Sequence, residues 1–410
     1  MNVIIVGGGI GGFTLALCLN RAGIDCRIYE LAPEIRPLGV GINILPHASR
    51  VLGDLGLESA LSQVSVLTRE AVFFNRFGQL IYREPLGRDA GYDDPQYSIH
   101  RGELQKVLVD AATQRLGADR IFTGWKCVGI DQDADSAIAH FADTRTGAQL
   151  PAQHGDVVVA CDGLHSVVRK ALHPHEGPPL YSGVNMWRGV SIWPPILSGA
   201  SMIRAGWLAT GKMVIYPIRN AVDADGRQLV NWVAEIETSR YKTRDWNRPG
   251  DINDFIDAFA DWHFDWLDVP AFIGKAQSIL EFPMVDQDPL PWWSRGRITL
   301  LGDAAHPMYP RGSNGAGQAI LDARALTDAL LMHRDPIEAL KAYEAKRLAF
   351  TGDVVRMNRN NPPDAILREV WKRTGDKPFT RIEDVISRDE LVALSESYKR
   401  VAGLSKGASC

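Results

Sequence analysis

The chain predicts an α/β fold: a parallel-sheet domain assembled from discontinuous segments, an inserted antiparallel sheet and a C-terminal helical segment. Three observations carry that expectation. Short β-branched runs at residues 2–6, 156–160 and 297–301 each end in a turn bearing glycine or aspartate. The first run leads into a helical apolar pattern and then another strand within 30 residues, which makes a βαβ unit. Between residues 180 and 283 the pattern changes to alternating apolar and polar segments, as in half-buried antiparallel strands.

Taken in order, residues 2–6 form a buried parallel strand. Ile10, Phe13 and Leu17 fall at helical spacing, with Leu15 and Leu19 widening the face, so residues 10–22 form a helix. Cys26–Tyr29 is the next strand, and Gly41–Pro46 a further one that leads into a helix over Ala48–Leu55. Asp156–Ala160 ends in Cys161-Asp162-Gly163, and Arg297–Leu301 ends in Gly302-Asp303-Ala304-Ala305-His306, with a helix over Leu321–Leu331. Gly183–Ile192, Met202–Leu208, Met213–Ile218 and Leu229–Glu237 read as antiparallel strands, and Ile252–Trp266 as a helix that interrupts them. Asn360-Asn361-Pro362-Pro363 breaks a helix, helix-like runs follow at Ala365–Lys372 and Ser387–Arg400, and residues 405–410 are expected to fray. The domain limits expected are 1–180, with short strands in 68–95 lent to the second domain, then 181–283, 284–357 and a C-terminal extension at 358–410.

Composition narrows the function. The 410 residues are 45% hydrophobic, enough for two or three domains, and 23% charged, which excludes wholesale disorder. Lys plus Arg is 45 against Asp plus Glu 49, a net charge of −4, so no nucleic-acid partner is expected. Five cysteines, at 18, 26, 127, 161 and 410, include no C-x-x-C. That argues against a disulfide scaffold or a metal site and for a reducing cytoplasm. No run reaches the ~18 apolar residues of a membrane span, and the start lacks the basic region of a signal peptide.

Gly7, Gly9 and Gly12 satisfy G-x-G-x-x-G between a strand and a helix. Gly7 permits the tight turn, Gly9 lets a pyrophosphate approach the backbone, and Gly12 lets helix and strand pack closely. The helix start offers free N–H groups to that anion. Glu30 ends the second strand, where a carboxylate accepts hydrogen bonds from an adenosine ribose. Dinucleotide binding follows, on a Rossmann-like unit, but the motif does not separate FAD from NAD. Asp162-Gly163 and Gly302-Asp303 each follow a strand, and the second precedes a glycine-rich loop, Pro310 to Gly317. Either pair alone is an ordinary turn.

In combination and order, these pieces resemble the group A FAD-dependent aromatic hydroxylases, over most of residues 1–350. Four stretches are similar to a narrower subset, the phenazine hydroxylase branch: Arg36 to Asn43, Gln96 to Gln105, Met186 to Gly189 and Pro283 to Asp286. The resemblance implies an NAD(P)H-dependent, single-component FAD monooxygenase. It would hydroxylate a small aromatic or heteroaromatic compound, a carboxylate and its decarboxylation being among the candidates, through a flavin C4a-hydroperoxide. Gly7, Gly9, Gly12 and Glu30 would hold the ADP half of FAD, with Arg36 nearby. Arg101 and Gln105 would contact the pyrophosphate and ribityl chain, and Asp303 the ribityl hydroxyls. Gly315 and Ala316 would bring N–H groups to the flavin pyrimidine edge. Asp162 would shape the flavin domain and nicotinamide access. Ser313 stands where relatives usually carry the first glycine of the loop, which puts that loop's conformation in question.

O2 and NADH or NADPH are the expected co-reactants. The absence of a second G-x-G-x-x-G fits a nicotinamide that visits transiently. His47 is a candidate base, weighed against a helix-capping role, and His306 more an organiser of its loop. Neither has metal-ligand spacing. On the inserted sheet, Tyr216 is the chosen catalytic and substrate contact, with Arg188, Trp207 and Trp232 also facing substrate. Arg188 would pair with a substrate carboxylate or the nicotinamide cofactor. For each aromatic, plain core packing is the competing reading. Two other functions stay open: a flavin oxidase or dehydrogenase without oxygen transfer, and a non-catalytic redox-responsive flavoprotein. A halogenase is disfavoured by the lack of W-x-W-x-I. The C-terminal segment either covers the flavin domain or mediates a homodimer.

Overall fold

Val3, Ile4, Ile5, Val157, Val158 and Val159 are all fully buried, as a strand sandwiched between helices requires. In the computed structural model, which describes residues 1–36, 39–238 and 249–404, they form the centre of a five-stranded parallel sheet. The order across it is Ile298–Leu300, Val157–Ala160, Asn2–Val6, Asp25–Glu30, Ile121–Thr123. Helices Ile10–Arg21, Arg101–Leu116 and Gly315–Met332 bury their apolar faces in the core built around this sheet. The strands come from distant parts of the chain, but their parallel register aligns their ends: Val6 pairs with Tyr29 and Ala160, and Ala160 with Leu300. The turns beginning at Gly7, Cys161 and Leu301, and Glu30 itself, therefore gather along one edge.

The second sheet has seven strands, in the order Ala276–Asp286, Leu180–Trp193, Gln228–Glu237, Gly211–Arg219, Ser201–Trp207, Glu70–Phe74, Leu80–Pro85. The four strands expected from alternation are present, and two strands from residues 68–95 join them. Alternation also sets the faces. Trp187, Ile215 and Trp232 share one face, packed against Phe255, Phe259 and Trp262. Arg188, Tyr216 and Asn231 share the other, against the strand Gly41–Ile44.

The helix expected over residues 252–266 does not form. Short turns at Ile252–Asp254 and Ile256–Phe259 and a small hairpin, His263–Phe264 with Leu267–Asp268, take its place. The helical spacing of Phe255, Phe259 and Trp262 is real, but their burial against the sheet decides the backbone, and Phe255 at φ −145° leaves the helical region. Two further small sheets form, in which only the strand at Gly41 was expected. One is the antiparallel ribbon Trp125–Gln132, Ala137–Asp143, Gln149–Gly155, and the other joins Gly41–Ile44, Tyr97–His100 and Ser65–Leu67.

The break at residues 360–363 is where expected: helix Pro336–Asn360 ends and Ala365–Thr374 and Arg388–Val401 follow. Residues 405–410, expected to fray, and Pro37 and Leu38 lie outside the described residues. Among the described residues no helix is long and apolar enough to cross a membrane. Cys18, Cys26, Cys127 and Cys161 are free thiols, and burial pushes the first three up to about 12, which makes them unreactive.

Candidate active site

The glycine turn is built for close approach. Gly7 has φ 106°, and a side chain there would collide with the Cys161 carbonyl. A side chain at Gly12 would strike the Gly7 carbonyl, which is the close contact between helix and strand that only glycine allows. At Gly9, which precedes the helix Ile10–Arg21, nothing lies within 4 Å of where a Cβ would stand. That open space at an uncapped helix start is a cradle for a phosphate-sized anion. Glu30 is fixed beside it, accepting from Gly8 N–H at 2.6 Å and Ala32 N–H at 2.7 Å. Gln105 reaches the same turn, donating to the Gly8 carbonyl at 2.9 Å. Arg36 does not join them. It is exposed and pairs with Glu34 at 2.7 Å.

Further along the crevice stand Asp162 and Asp303. Asp162 Oδ2 accepts from Val167 N–H at 2.9 Å, while its Oδ1 is buried without a partner. Burial pushes its carboxyl pKa up. Asp303 stays open to solvent although protein surrounds it, the condition of a cleft. That surrounding raises its carboxyl pKa against the opposing pull of His306 and Arg101. A methyl group on Gly315 would stand 3.8 Å from Asp303 Oδ1, so the aspartate turn and the helix opening at Gly315 meet. Arg101 begins its own helix, and its exposed side chain lies along Gly39.

Below this surface is an ionic network that the motifs did not reveal. His306 Nε2 meets Asp322 Oδ2 at 2.5 Å, and Arg347 Nε donates to Asp322 Oδ1 at 2.7 Å. Burial alone would raise the Asp322 carboxyl, but His306 and Arg347 outweigh it and hold the pKa at about 2. Gly302 N–H donates to the same carboxylate at 3.1 Å. His306 thus braces the Gly302-Asp303 turn.

His47 caps no helix. Leu45 is the cap position of Pro46–Asp54, without a side-chain bond. The imidazole faces Gly317, where a Cβ would be 3.8 Å from Nε2, and both ring nitrogens are buried without a partner. Burial, helped by the Arg347 charge, drives its pKa down to about 3. The ring is therefore neutral and a weak base.

Tyr216 and Arg188 converge on one carbonyl. Tyr216 O–H donates to Gly41 O at 2.8 Å, and Arg188 Nη2 donates to it at 2.7 Å. Asn231 Oδ1 accepts from Gly41 N–H at 2.7 Å. Arg188 Nε is buried without a partner, and burial raises the Tyr216 pKa. The two tryptophans lie elsewhere. Trp232 is fully buried on the opposite face of the sheet, its Nε1 donating to Ser191 Oγ at 3.1 Å. Trp207 is half-buried where the sheet meets the C-terminal segment, in a surface cleft with Phe77 and Trp371, and it also packs on the cluster of Met186, Val233 and Tyr309 on the face that carries Arg188. Asn43, Asn231, Asp322 and Arg347, absent from the sequence expectations, are in the crevice or directly beneath it. Their partners lie far away in the chain, so no local spacing could have marked them.

Among the buried polar atoms that find no partner in the described residues are those of Asp162, His47 and Arg188. With the empty cradle at Gly9, they suit an elongated, hydroxyl-rich dinucleotide and a second polar molecule beyond it.

The family model described as "FAD binding domain" matches residues 1–358. Phenazine 1,6-dicarboxylic acid hydroxylase of Lysobacter antibioticus is 40% identical over 408 residues, 98% of each chain. 3-Amino-4-hydroxybenzoate 2-monooxygenase of Streptomyces cremeus is 31% identical over 413 residues, 98% of this chain and 96% of that one. The fold matches that of Klebsiella pneumoniae HpxO, solved with FAD and uric acid. The TM-score is 0.75 at 23% identity, with coverage of 98% of this chain and 92% of the other. The chain therefore belongs to the FAD-binding-domain family as an FAD-dependent aromatic monooxygenase.

Proposed function

We propose that the enzyme hydroxylates a small aromatic or heteroaromatic carboxylate, with NADH or NADPH as electron donor. The observation that carries the substrate class is Arg188. Its guanidinium lies on the sheet face turned toward the flavin domain, and among the described residues no acidic side chain pairs with it. Its one bond is to a backbone carbonyl, and its Nε has none. A partly buried cation with spare donors suits a carboxylate, which takes parallel N–H bonds. The relatives that act on a phenazine dicarboxylic acid and an aminohydroxybenzoate support the same class.

FAD, when bound, supplies the redox chemistry: it accepts reducing equivalents and activates O2. The chain binds and orients. Gly7, Gly9, Gly12 and Glu30 hold the adenosine end, Gln105, Arg101, Asp162 and Asp303 the middle, and the helix start at Gly315 and Ala316 the ring edge. Tyr216 O–H donates a hydrogen bond to the Gly41 carbonyl and so fixes, with Arg188, the strand that leads to His47. His47, neutral, serves as a hydrogen-bonding group and not as a proton acceptor near neutral pH. The unreactive buried thiols accord with a cytoplasmic enzyme.

The test is a screen of aromatic and heteroaromatic acids for stimulated NADH and NADPH oxidation, with oxygen-18 traced into the product. Arg188→Met should raise KM for the carboxylate substrate about 10–100-fold, the value of a charge-assisted hydrogen bond, with FAD content unchanged. An unchanged KM would remove Arg188 from the site. Substrate oxidation without label in the product would favour an oxidase.

A further inference from the structure

The helix Gly315–Met332 opens on Asn314. Asparagine is among the best residues for capping a helix, its side-chain oxygen accepting an N–H of the first turn. Asn314 does not cap. It makes no side-chain bond to the helix, its backbone, at φ −99° and ψ −24°, is turned away from the extended conformation of a cap residue, and its Oδ1, the atom that would accept, is buried with no partner among the described residues. The amide is anchored through its nitrogen instead. Asn314 Nδ2 donates to the Tyr398 hydroxyl at 2.6 Å. Tyr398 donates to Asn358 Oδ1 at 3.0 Å, and Asn358 Nδ2 to the Tyr309 carbonyl at 3.3 Å. Asn314, Asn358 and Tyr398 are all buried. Tyr398 is also seated against Gly312, at φ 78°, where a side chain would collide with its hydroxyl. A residue of the helix Arg388–Val401, 84 positions away, thus holds the cap residue of another helix.

The first N–H groups of any helix lack partners within it. Here the nearest side chain able to satisfy them is held aside, so they remain available next to Asp303. We propose that Tyr398 is a positioning residue for the flavin: it keeps Asn314 out of the cap position and so leaves the Ala316 N–H, which a cap would take, free beside that of Gly315 for the electron-rich edge of the FAD ring. This rests on the reading that places the ring edge at that helix start.

The test measures FAD affinity of the apoprotein by flavin fluorescence and the reduction potential of the reconstituted protein. Tyr398→Phe keeps the ring and removes the hydroxyl. Freed of that anchor, Asn314 relaxes to the extended backbone of a cap residue and its Oδ1 turns to its own helix, and FAD affinity falls about five-fold, the worth of one asparagine cap. The potential becomes more negative, because the reduced, anionic ring loses donors. Adding Asn314→Ala removes the competitor, and the double variant regains parental affinity. A double variant as weak as Tyr398→Phe alone would reduce Tyr398 to a packing role and overturn the proposal. Should Tyr398→Phe not fold, Asn314→Ser gives the second route. Serine caps its own helix and is too short to hold Tyr398, so affinity falls similarly, and parental affinity in that variant overturns the proposal. Ala316→Pro, in a first turn where proline is tolerated, removes one of the N–H groups directly. If it changes neither affinity nor potential, the ring placement is wrong. If it lowers both while Tyr398→Phe and Asn314→Ser do not, only the role of Tyr398 is wrong.

Discussion

Single residues show where sequence reading reaches its limit. Gly7, Gly12 and Glu30 were legible because each meets a local backbone need at a strand end, whereas Asp303 was singled out only by the resemblance. Asn231 was not, because what it binds, Gly41 N–H, lies 190 residues away. Trp232 shows a subtler limit. Alternation told which residues share a face with it, but which face turns to the flavin domain is decided by docking, and Trp232 lies on the other one. Ser313 answers the question its sequence position raised: it adopts φ 59°, the left-handed conformation that a glycine there would take without strain. His47 gives a pH signature. Its pKa of about 3 in the folded chain lies below the ordinary 6.5, so below pH 6.5 the unfolded chain takes up a proton that the folded one does not. Its burden on stability is absent above that pH and grows as pH falls toward 3. For the apoprotein at pH 5 the cost is about 2 kcal/mol. Denaturant midpoints at pH 7 and 5 should therefore separate more for the parent than for His47→Leu. Equal separations would mean that the imidazole is not neutral in the folded chain.

At the scale of elements, the glycine-rich start of the chain couples stability to cofactor retention. The helix Ile10–Arg21 lies so close to its strand that Gly12 faces the Gly7 carbonyl. Gly12→Val forces the two apart. The expected cost is about 1–3 kcal/mol of stability and loss of FAD on gel filtration, because the phosphate cradle moves with the helix. Full flavin occupancy in that variant would show that the close contact is not needed. Elements whose apolar spacing matches their burial were foreseeable, among them the βαβ start and the helices after residue 364. The stretch 252–266 was not, because its aromatics have helical spacing but reach the sheet through short turns. There a broad tertiary surface overrides local preference.

At the scale of the molecule, the segment after the family model's last matched residue, 358, belongs to the structural core. Lys212, 1% exposed on the sheet, pairs with Glu235 and with Asp364, and Arg204 reaches Asp364 at 3.1 Å. Burial would raise the Asp364 carboxyl, but Lys212 and Arg204 hold it below the usual range. Asp364→Ala leaves two buried cations facing one acid. The expected loss is about 3–5 kcal/mol, read as a fall in the denaturant midpoint, and an unmoved midpoint would mean that water already screens the cluster. Nothing in the charged, motif-free sequence of this segment announced that role, since its partners are strands more than 100 residues earlier. The positive charges of the seven-stranded sheet are thus balanced from the far end of the polypeptide. A transplant of that sheet between relatives, made to change what an oxygenase accepts, would have to carry the tail's acid with it.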